Sequence, residues 1–448
     1  MQPSGRAPFG RVLVANRGEI ACRIIRTVHR LGIESVAVHS DADGGAKHVR
    51  EARRSVRIGE PPAPLSYLNP AAIVRAALDT GAQAVHPGYG FLAESASFAR
   101  AVLDAGLAWV GPSPEVLELS GDKVAARQTF ERSGFPVLPG AGPYLGADEA
   151  VAAARDLGYP VMVKAVMGGG GIGMGVARDE AALRAAVETA ATRGERFFGD
   201  ASVYLERFVP SARHVEVQVL ADEHDTIHLY ERECSVQRRH QKVIEETPSP
   251  ALDRDLRHRM CQAAVRSMRD IGYRGAGTVE CILTPEREFF FLEVNARLQV
   301  EHPITEVTCD VDLVEEQLRI AAGHGMSLAG TPPRNHHAIE CRIYAEDPRT
   351  FLPAPGRITA LDVGPNWNRM QRHDFGYDAG DQVPMFYDPL VGKVVAWSGD
   401  RLNALGEMRM ALDRLRIDGL KTNVPALLEV LGDERFRSGD YDTGLLGK

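Results

Sequence analysis

Between Gly277 and Glu301 the chain sets acids, amides and a guanidinium at spacings that chemistry can use. Thr278–Leu283 and Phe289–Val294 are β-prone runs joined by Thr284-Pro285-Glu286-Arg287-Glu288, a proline-bearing, charged connection that predicts a hairpin. With a Pro285–Glu288 loop, Thr284 pairs with Phe289, and counting outward sets Glu280 opposite Glu293. Carboxylates opposed in this way stand about 5 Å apart and repel by roughly 3 kcal/mol at an effective dielectric near 20. A divalent cation between them reverses that sign, and Mg2+ is commonly held by one or two carboxylates together with phosphate oxygens. The plain alternative is an exposed pair that splays apart. The apolar Phe289-Phe290-Phe291-Leu292 beside it favours the cation.

The second run continues the pattern. Glu293, Asn295, Arg297, Gln299 and Glu301 recur at every second residue, with Val294, Ala296, Leu298 and Val300 between them. An extended chain would carry the apolar set on one face and an acid–amide–guanidinium–amide–acid row on the other. A solvated strand shows no such order, so the row predicts the floor of an active site.

Three other stretches bear chemistry more weakly. Gly168-Gly169-Gly170-Gly171-Ile172-Gly173 follows an apolar run that ends in Lys164. Bare backbone N–H groups there can wrap phosphates, and glycines let a lid close; a simple flexible linker is the competing reading. Lys and Ser/Thr do not follow, so this is not a P-loop. Gln237-Arg238-Arg239-His240-Gln241-Lys242 concentrates cations in an acidic chain, which reads as solvated surface unless it faces the acid pair. His214, Glu216 and Gln218 alternate along one strand and would line a nucleotide pocket, although His214 alone reads as structural. His86-Pro87-Gly88-Tyr89-Gly90 reads as a shaped loop with no chemistry assignable from its spacing.

The elements that must hold these groups follow a simple order. Arg11–Ala15, Ile33–His39 and Ala82–His86 read as strands, and Ile20–Leu31 and Ala71–Thr80 as helices. That alternation predicts a parallel, Rossmann-like sheet. Asp41 stands where a ribose-binding acid would, but Gly18 alone occupies a turn where a dinucleotide fingerprint wants three glycines. Beyond Ser113 the pattern becomes α+β: a helix opened by Gly121-Asp122-Lys123, strands at Tyr159–Lys164, Ser202–Phe208 and His214–Leu220, and a helix at Asp179–Arg193. Thr331-Pro332-Pro333 marks a break, after which short strands and one helix near Arg401–Leu415 are expected. The domains are therefore drawn at 1–113, 114–335 and 336–448.

Composition bounds the rest. The chain has 448 residues, 44% hydrophobic and 25% charged, with a net charge of −8 that gives no basic surface for nucleic acid or anionic lipid. Met1–Gly10 lacks the apolar core of a signal peptide, and no apolar run is long enough to span a bilayer. The six cysteines lie at least 20 residues apart, which suits reduced, buried thiols of a cytoplasmic enzyme rather than disulfides or zinc ligands.

Taken together, Ala15–Ala21, His86–Phe91, Gly121-Asp122-Lys123, Cys234–Lys242 and Glu293–Pro303 resemble the biotin carboxylases of the ATP-grasp superfamily. Glu340–Ile343 and Phe386–Pro389 extend the resemblance nearly end to end. It implies a Rossmann-like N-terminal domain, a central ATP-grasp domain with a mobile glycine-rich lid at about 134–205, and a mixed α/β C-terminal domain. It also implies the first half-reaction of an acetyl- or propionyl-CoA type carboxylase, such as serves fatty acid biosynthesis. There ATP and bicarbonate give carboxyphosphate, whose CO2 is captured by the ureido nitrogen of biotin.

By the same resemblance Glu280, Glu293 and Asn295 would hold Mg2+ or Mn2+. Lys242, Arg297, Gln299 and the Val300 backbone would hold bicarbonate. Glu301 would be the base, and Arg342 would stabilise the enolate form of biotin. Lys123, Lys164, Gly170, Gly171, Glu206, Arg207, Phe208, Val209, His214, Gln237, His240 and Glu280 would contact ATP. A Met-Lys-Met attachment segment is missing, so a separate biotin carboxyl carrier protein and a carboxyltransferase are the implied partners, and a homodimer the implied assembly. Ile172 and Gly175 stand where the family commonly has basic residues, and Arg207 stands for the usual Lys, which predicts weaker ATP affinity. Another ATP-grasp carboxylate–amine ligase, or a nucleotide-binding regulator without turnover, are the alternatives.

Overall fold

The computed structural model describes residues 7–167, 174–239, 241–365 and 369–447. Near the N-terminus, Arg11–Val14 forms the middle of a five-stranded sheet. Its order is Arg54–Gly59, Glu34–Ser40, Arg11–Val14, Ala84–His86 and Ala108–Trp109, with every pairing parallel. Val12, Leu13, Val14, Val36 and Val85 are wholly buried, because helices such as Gly18–Arg30 and Pro70–Thr80 lie over the sheet. Strand order reverses between Arg11–Val14 and Ala84–His86, the place where a parallel sheet opens a crevice at its carboxyl ends. Here Asn16 fills it, donating through Nδ2 to the carbonyls of Pro87 and Tyr89, 2.7 Å each. Gly88 has φ +67°, and a Cβ on it would stand 3.0 Å from Asn16 Nδ2. Asp41 pairs with Arg57 at the surface instead of awaiting a ribose.

A second unit surrounds the glycine run, which itself lies outside the described residues. Four antiparallel strands, in the order Gly140–Tyr144, Val203–Arg207, Val161–Ala165 and Gly175–Ala177, carry the helices Ala147–Leu157 and Glu180–Phe198. Val161, Val163, Leu183, Val187 and Leu205 form a small core of its own. Asp179 caps the long helix by accepting from Ala182 N–H at 2.8 Å.

The largest element is an antiparallel sheet of eight strands. Its order is Phe289–Asn295, Gly275–Leu283, Arg213–Ala221, Thr226–Arg238, Gln241–Thr247, His337–Tyr344, Leu390–Ser398 and Gln371–Phe375. It runs without interruption past the Thr331-Pro332-Pro333 break, since Gln241–Thr247 bonds directly to His337–Tyr344 with Ile244 opposite Cys341. The C-terminal segment departs from expectation. Its two main strands are 8 and 9 residues long, and three helices follow: Arg401–Arg414, Val424–Gly432 and Glu434–Ser438. The first extra helix is a nine-residue apolar run with a proline at its start, and the second a five-residue charged turn capped by Asp433, both too brief to show a helical period in the sequence. All six cysteines are free and buried. Among the described residues, no helix is long and apolar enough to cross a membrane.

Candidate active site

The hairpin sets the first geometry. Glu280 and Glu293 are direct cross-strand partners, as the counting predicts, but by a different route. Thr284 N–H bonds the Glu288 carbonyl at 2.8 Å and Arg287 takes a left-handed φ of 65°, so the turn is tighter and Leu283, not Thr284, faces Phe289. A bulge at Leu292 then restores the register one step before the acids. Glu280 is buried and surrounded by donors: Lys242 Nζ at 2.7 Å, Asn295 Nδ2 at 2.9 Å, and His214 Nε2 at 2.8 Å. Burial pushes its pKa up, but Lys242 and His214 outweigh burial and hold it below the usual carboxylate range.

Glu293 is different. Among the described residues it makes no hydrogen bond or ion pair, and burial followed by the charge of Glu280 pushes its pKa up. A partnerless acid opposite a bound one, with the Asn295 amide beside them, is a donor set that suits a hard divalent cation. Lys123, at the start of the helix Lys123–Arg132, stands toward Glu293, and burial lowers its pKa.

The predicted strand to Glu301 ends early, at Asn295. Ala296 N–H turns to Glu94 Oε1 at 3.3 Å instead of to a neighbouring strand, and the chain runs irregularly into the helix His302–Cys309. The alternation survives in the cavity lining and not in burial. Glu293, Asn295, Arg297 and Gln299, joined by Val300, line one cavity of about 640 Å3, while Val294, Ala296 and Leu298 sit in the core. Glu301 is fully buried and is not among the lining residues. Val300 breaks the apolar series by facing the cavity. Arg297 knits the row together, donating to Asn295 Oδ1 at 2.8 Å, Gln299 Oε1 at 2.9 Å and Glu94 Oε2 at 2.9 Å.

Lys242 is the junction of the site. Its side chain is 11% exposed, and Nζ lies 2.6 Å from Glu216, 2.7 Å from Glu280 and 2.9 Å from Glu301. Three carboxylates thus occupy the three donors of one ammonium. Burial alone would lower this pKa, but Glu216, Glu280 and Glu301 together hold it well above the lysine range. Glu301 is fully buried between Lys242 and Arg342, whose Nη2 is 3.0 Å away. Burial opposes its ionisation, yet Lys242, Arg342 and Arg232 keep it well below the carboxylate range. Arg342 also donates through Nε to Glu245 at 2.6 Å.

The nucleotide candidates divide. Lys123, Lys164, His214, Gln237 and Glu280 line the cavity. Lys164 is buried and paired with Glu206. Arg207 is exposed, and Phe208 and Val209 follow it at the end of the strand, outside the cavity lining. Gly170, Gly171 and His240 lie outside the described residues. The basic run is not simple surface: Gln237 is buried, Arg239 and Lys242 line the cavity, and among its described residues only Arg238 leaves it, for Glu346.

Several contributors escape a reading by sequence. Arg232, wholly buried, donates to Glu216 at 2.5 Å, Gln218 at 2.6 Å and Thr305 at 2.9 Å, yet Glu231-Arg232-Glu233 looks like a solvated face. Glu94, Glu216 and Glu245 each fix a cation from elements distant in sequence, and only Glu216 sits in a visible alternation. Asn16, Arg17, Tyr89 and Phe91 bring the N-terminal sheet to the cavity mouth.

Comparison with known proteins returns a consistent set. Residues 8–117 match the model of the biotin carboxylase N-terminal domain, 122–329 that of the carbamoyl-phosphate synthase L chain ATP-binding domain, and 340–448 that of the biotin carboxylase C-terminal domain. Biotin carboxylase 2 of Bacillus subtilis is 48% identical over 98% of this chain and 99% of its own length. A biotin carboxylase–β-γ-ATP complex from Campylobacter jejuni superposes with a TM-score of 0.95 at 41% identity, covering 98% of each chain. The biotin carboxylase domain of Hydrogenobacter thermophilus 2-oxoglutarate carboxylase, a dimer in complex with MgADP, ADP and bicarbonate, gives 0.95 at 40% identity over 98% of this chain and 97% of that one.

Proposed function

Because the chain belongs to the biotin carboxylase family, we propose that it carboxylates biotin with ATP and bicarbonate, through carboxyphosphate, on a separate carrier protein. The observation that carries this reading is the Lys242 ammonium. It touches Glu280, from the phosphate end of the cavity, and Glu301, which in turn touches Arg342 at the other end. One cation therefore connects the place where phosphate is activated to the place where the acceptor waits.

Glu280, Glu293 and Asn295 are the residues to hold Mg2+ or Mn2+, which when bound neutralises charge on the transferring phosphoryl group. Lys123, Lys164, His214 and Gln237 orient the nucleotide, with Glu206 holding Lys164 in place; Gly170, Gly171, Arg207, Phe208, Val209 and His240 remain proposed contacts. Lys242, Arg297, Gln299 and the Val300 backbone cradle bicarbonate. Glu301 takes the bicarbonate proton as its oxygen bonds the γ-phosphorus and the bond to ADP breaks. In the resting site Glu301 is a poor base, because two cations grip it. Anionic substrates arriving at Lys242, and the ureido oxygen arriving at Arg342, draw those cations away and restore its basicity. The carboxyphosphate C–O bond then breaks to give CO2 and phosphate, the phosphate takes the ureido N–H proton, and Arg342 stabilises the enolate oxygen of biotin while that nitrogen bonds CO2.

The same reading has domains at 1–113, 114–335 and 336–448 and a cytoplasmic enzyme, consistent with six free thiols. It would act as a homodimer alongside a carrier protein and a carboxyltransferase. The test is ATP cleavage with and without bicarbonate plus free biotin: cleavage must depend on both. ATP binding without any release of phosphate under those conditions would refute it.

A further inference from the structure

Lys393 is a wholly buried cation that the chemistry above does not use. It lies on the strand Leu390–Ser398, directly between Arg342 and Asp374 on the neighbouring strands. Burying an ammonium is costly unless it is paired, and the nearest cross-strand acid, Asp374, is already held by Arg26 and Arg372. Lys393 instead donates to the Val300 carbonyl at 2.7 Å and stands 3.2 Å from Glu19 Oε1. Glu19, itself buried, belongs to the first turn of the helix Gly18–Arg30 and also accepts from the Tyr89 hydroxyl.

Resting on the carboxylase reading, we propose that Lys393 is a positioning residue: its ammonium fixes the peptide joining Val300 to Glu301, and so the aim of the base. The carbonyl it holds belongs to the peptide unit whose N–H is that of Glu301, so ψ of Val300 and φ of Glu301 are set together. Glu301 occupies the N-cap of the helix His302–Cys309, with φ −82° and ψ 11°, and makes no capping bond. A residue there ordinarily turns its side chain back onto the helix N–H groups. Glu301 sends its carboxylate to Lys242 and Arg342 instead. Its backbone must therefore be anchored from elsewhere, and Lys393 supplies the anchor, with Glu19 as counter-ion.

The test uses the full-length protein with Lys393→Met and Glu19→Gln. ATP affinity is measured by nucleotide titration without bicarbonate, and kcat and bicarbonate KM by biotin-dependent ATP cleavage. In Lys393→Met, kcat is expected to fall about 10²-fold with ATP affinity retained; Glu19→Gln shows a smaller loss in the same direction, because the carbonyl contact remains. Unchanged kcat and bicarbonate KM in folded Lys393→Met would overturn the proposal, as would ATP affinity falling in proportion to kcat, which marks a merely structural role. Should Lys393→Met fail to fold, Glu19→Gln decides: lowered kcat with kept ATP affinity supports the anchor, and wild-type kinetics refute it. A wild type with no bicarbonate-dependent cleavage removes the carboxylase reading itself, and this proposal with it.

Discussion

Glu245 and Glu340 lie directly opposite each other on the strands Gln241–Thr247 and His337–Tyr344, repeating behind Arg342 the acid pairing that Glu280 and Glu293 make across the hairpin. Glu245 is bonded to Arg342, whereas among the described residues neither oxygen of Glu340 has a hydrogen-bond partner. Burial pushes Glu245 up to about 7 against the pull of Arg342, with Glu301 adding to the rise. Burial also pushes Glu340 well up.

A pH dependence follows from this pair. An acid whose pKa is higher folded than unfolded binds a proton more tightly in the folded state. It stabilises fully below its unfolded value and loses that contribution as pH rises toward the folded value. For Glu245 the window runs from about 4.5 to about 7. Glu246 has the opposite sign: although burial opposes it, His337 and Arg401 hold it near 2, so it costs stability as pH falls from about 4.5 to about 2. Glu245 should therefore make the melting temperature decline between pH 5 and 7, and Glu245→Gln should flatten that decline. An undiminished slope in that variant would exclude Glu245 as its source.

Glu301→Gln keeps the shape of the side chain and removes its basicity. Bicarbonate- and biotin-coupled ATP cleavage should fall by about 10²–10⁴-fold, the usual contribution of a general base, while a nucleotide titration gives wild-type affinity. Equal turnover in variant and wild type would remove Glu301 from its role.

Glu293→Gln separates metal binding from folding. Without metal, relief of like charges directly opposite should stabilise the protein by about 0.5–1 kcal/mol, read as a higher melting temperature. In the same variant the Mg2+ concentration needed for half-maximal ATP cleavage should rise. A lower melting temperature would mean that Glu293 is held by something other than its charge.

Lys242→Met leaves Glu216, Glu280 and Glu301 buried around a missing cation. Breaking a buried pair costs about 3–5 kcal/mol, so the melting temperature should drop sharply and coupled turnover should vanish. A double variant, Lys242→Met with Glu216→Gln, should regain part of the stability and none of the turnover.

The chemistry of the site was legible where it followed local rules. Alternation exposed the polar row, and a count along one hairpin paired Glu280 with Glu293, although two shifts, a tighter turn and a bulge at Leu292, cancelled to make the count come out. What the sequence hid is what tertiary contact decides. Ala296 bonds Glu94 from two hundred residues away, ending a strand that the pattern extends to Glu301. Arg232 and Lys393 carry no periodic signal because each is surrounded by partners from remote segments. The helices Val424–Gly432 and Glu434–Ser438 were too short to declare a period.

The unbroken eight-stranded sheet sets the backbone frame of the reaction. From the strand of Glu280 to that of Arg342 there are four lateral steps in a hydrogen-bonded ladder, about 19 Å at the usual strand spacing. That ladder behaves as a stiff gauge for the backbones, while Lys242 and Glu301 bring the side-chain heads of Glu280 and Arg342 to within three short contacts, so a reactive species has only that narrower gap to cross. Cutting the chain near residue 335 would strip two interior strands of their partners and leave adhesive borders, so its halves should associate or precipitate when produced apart.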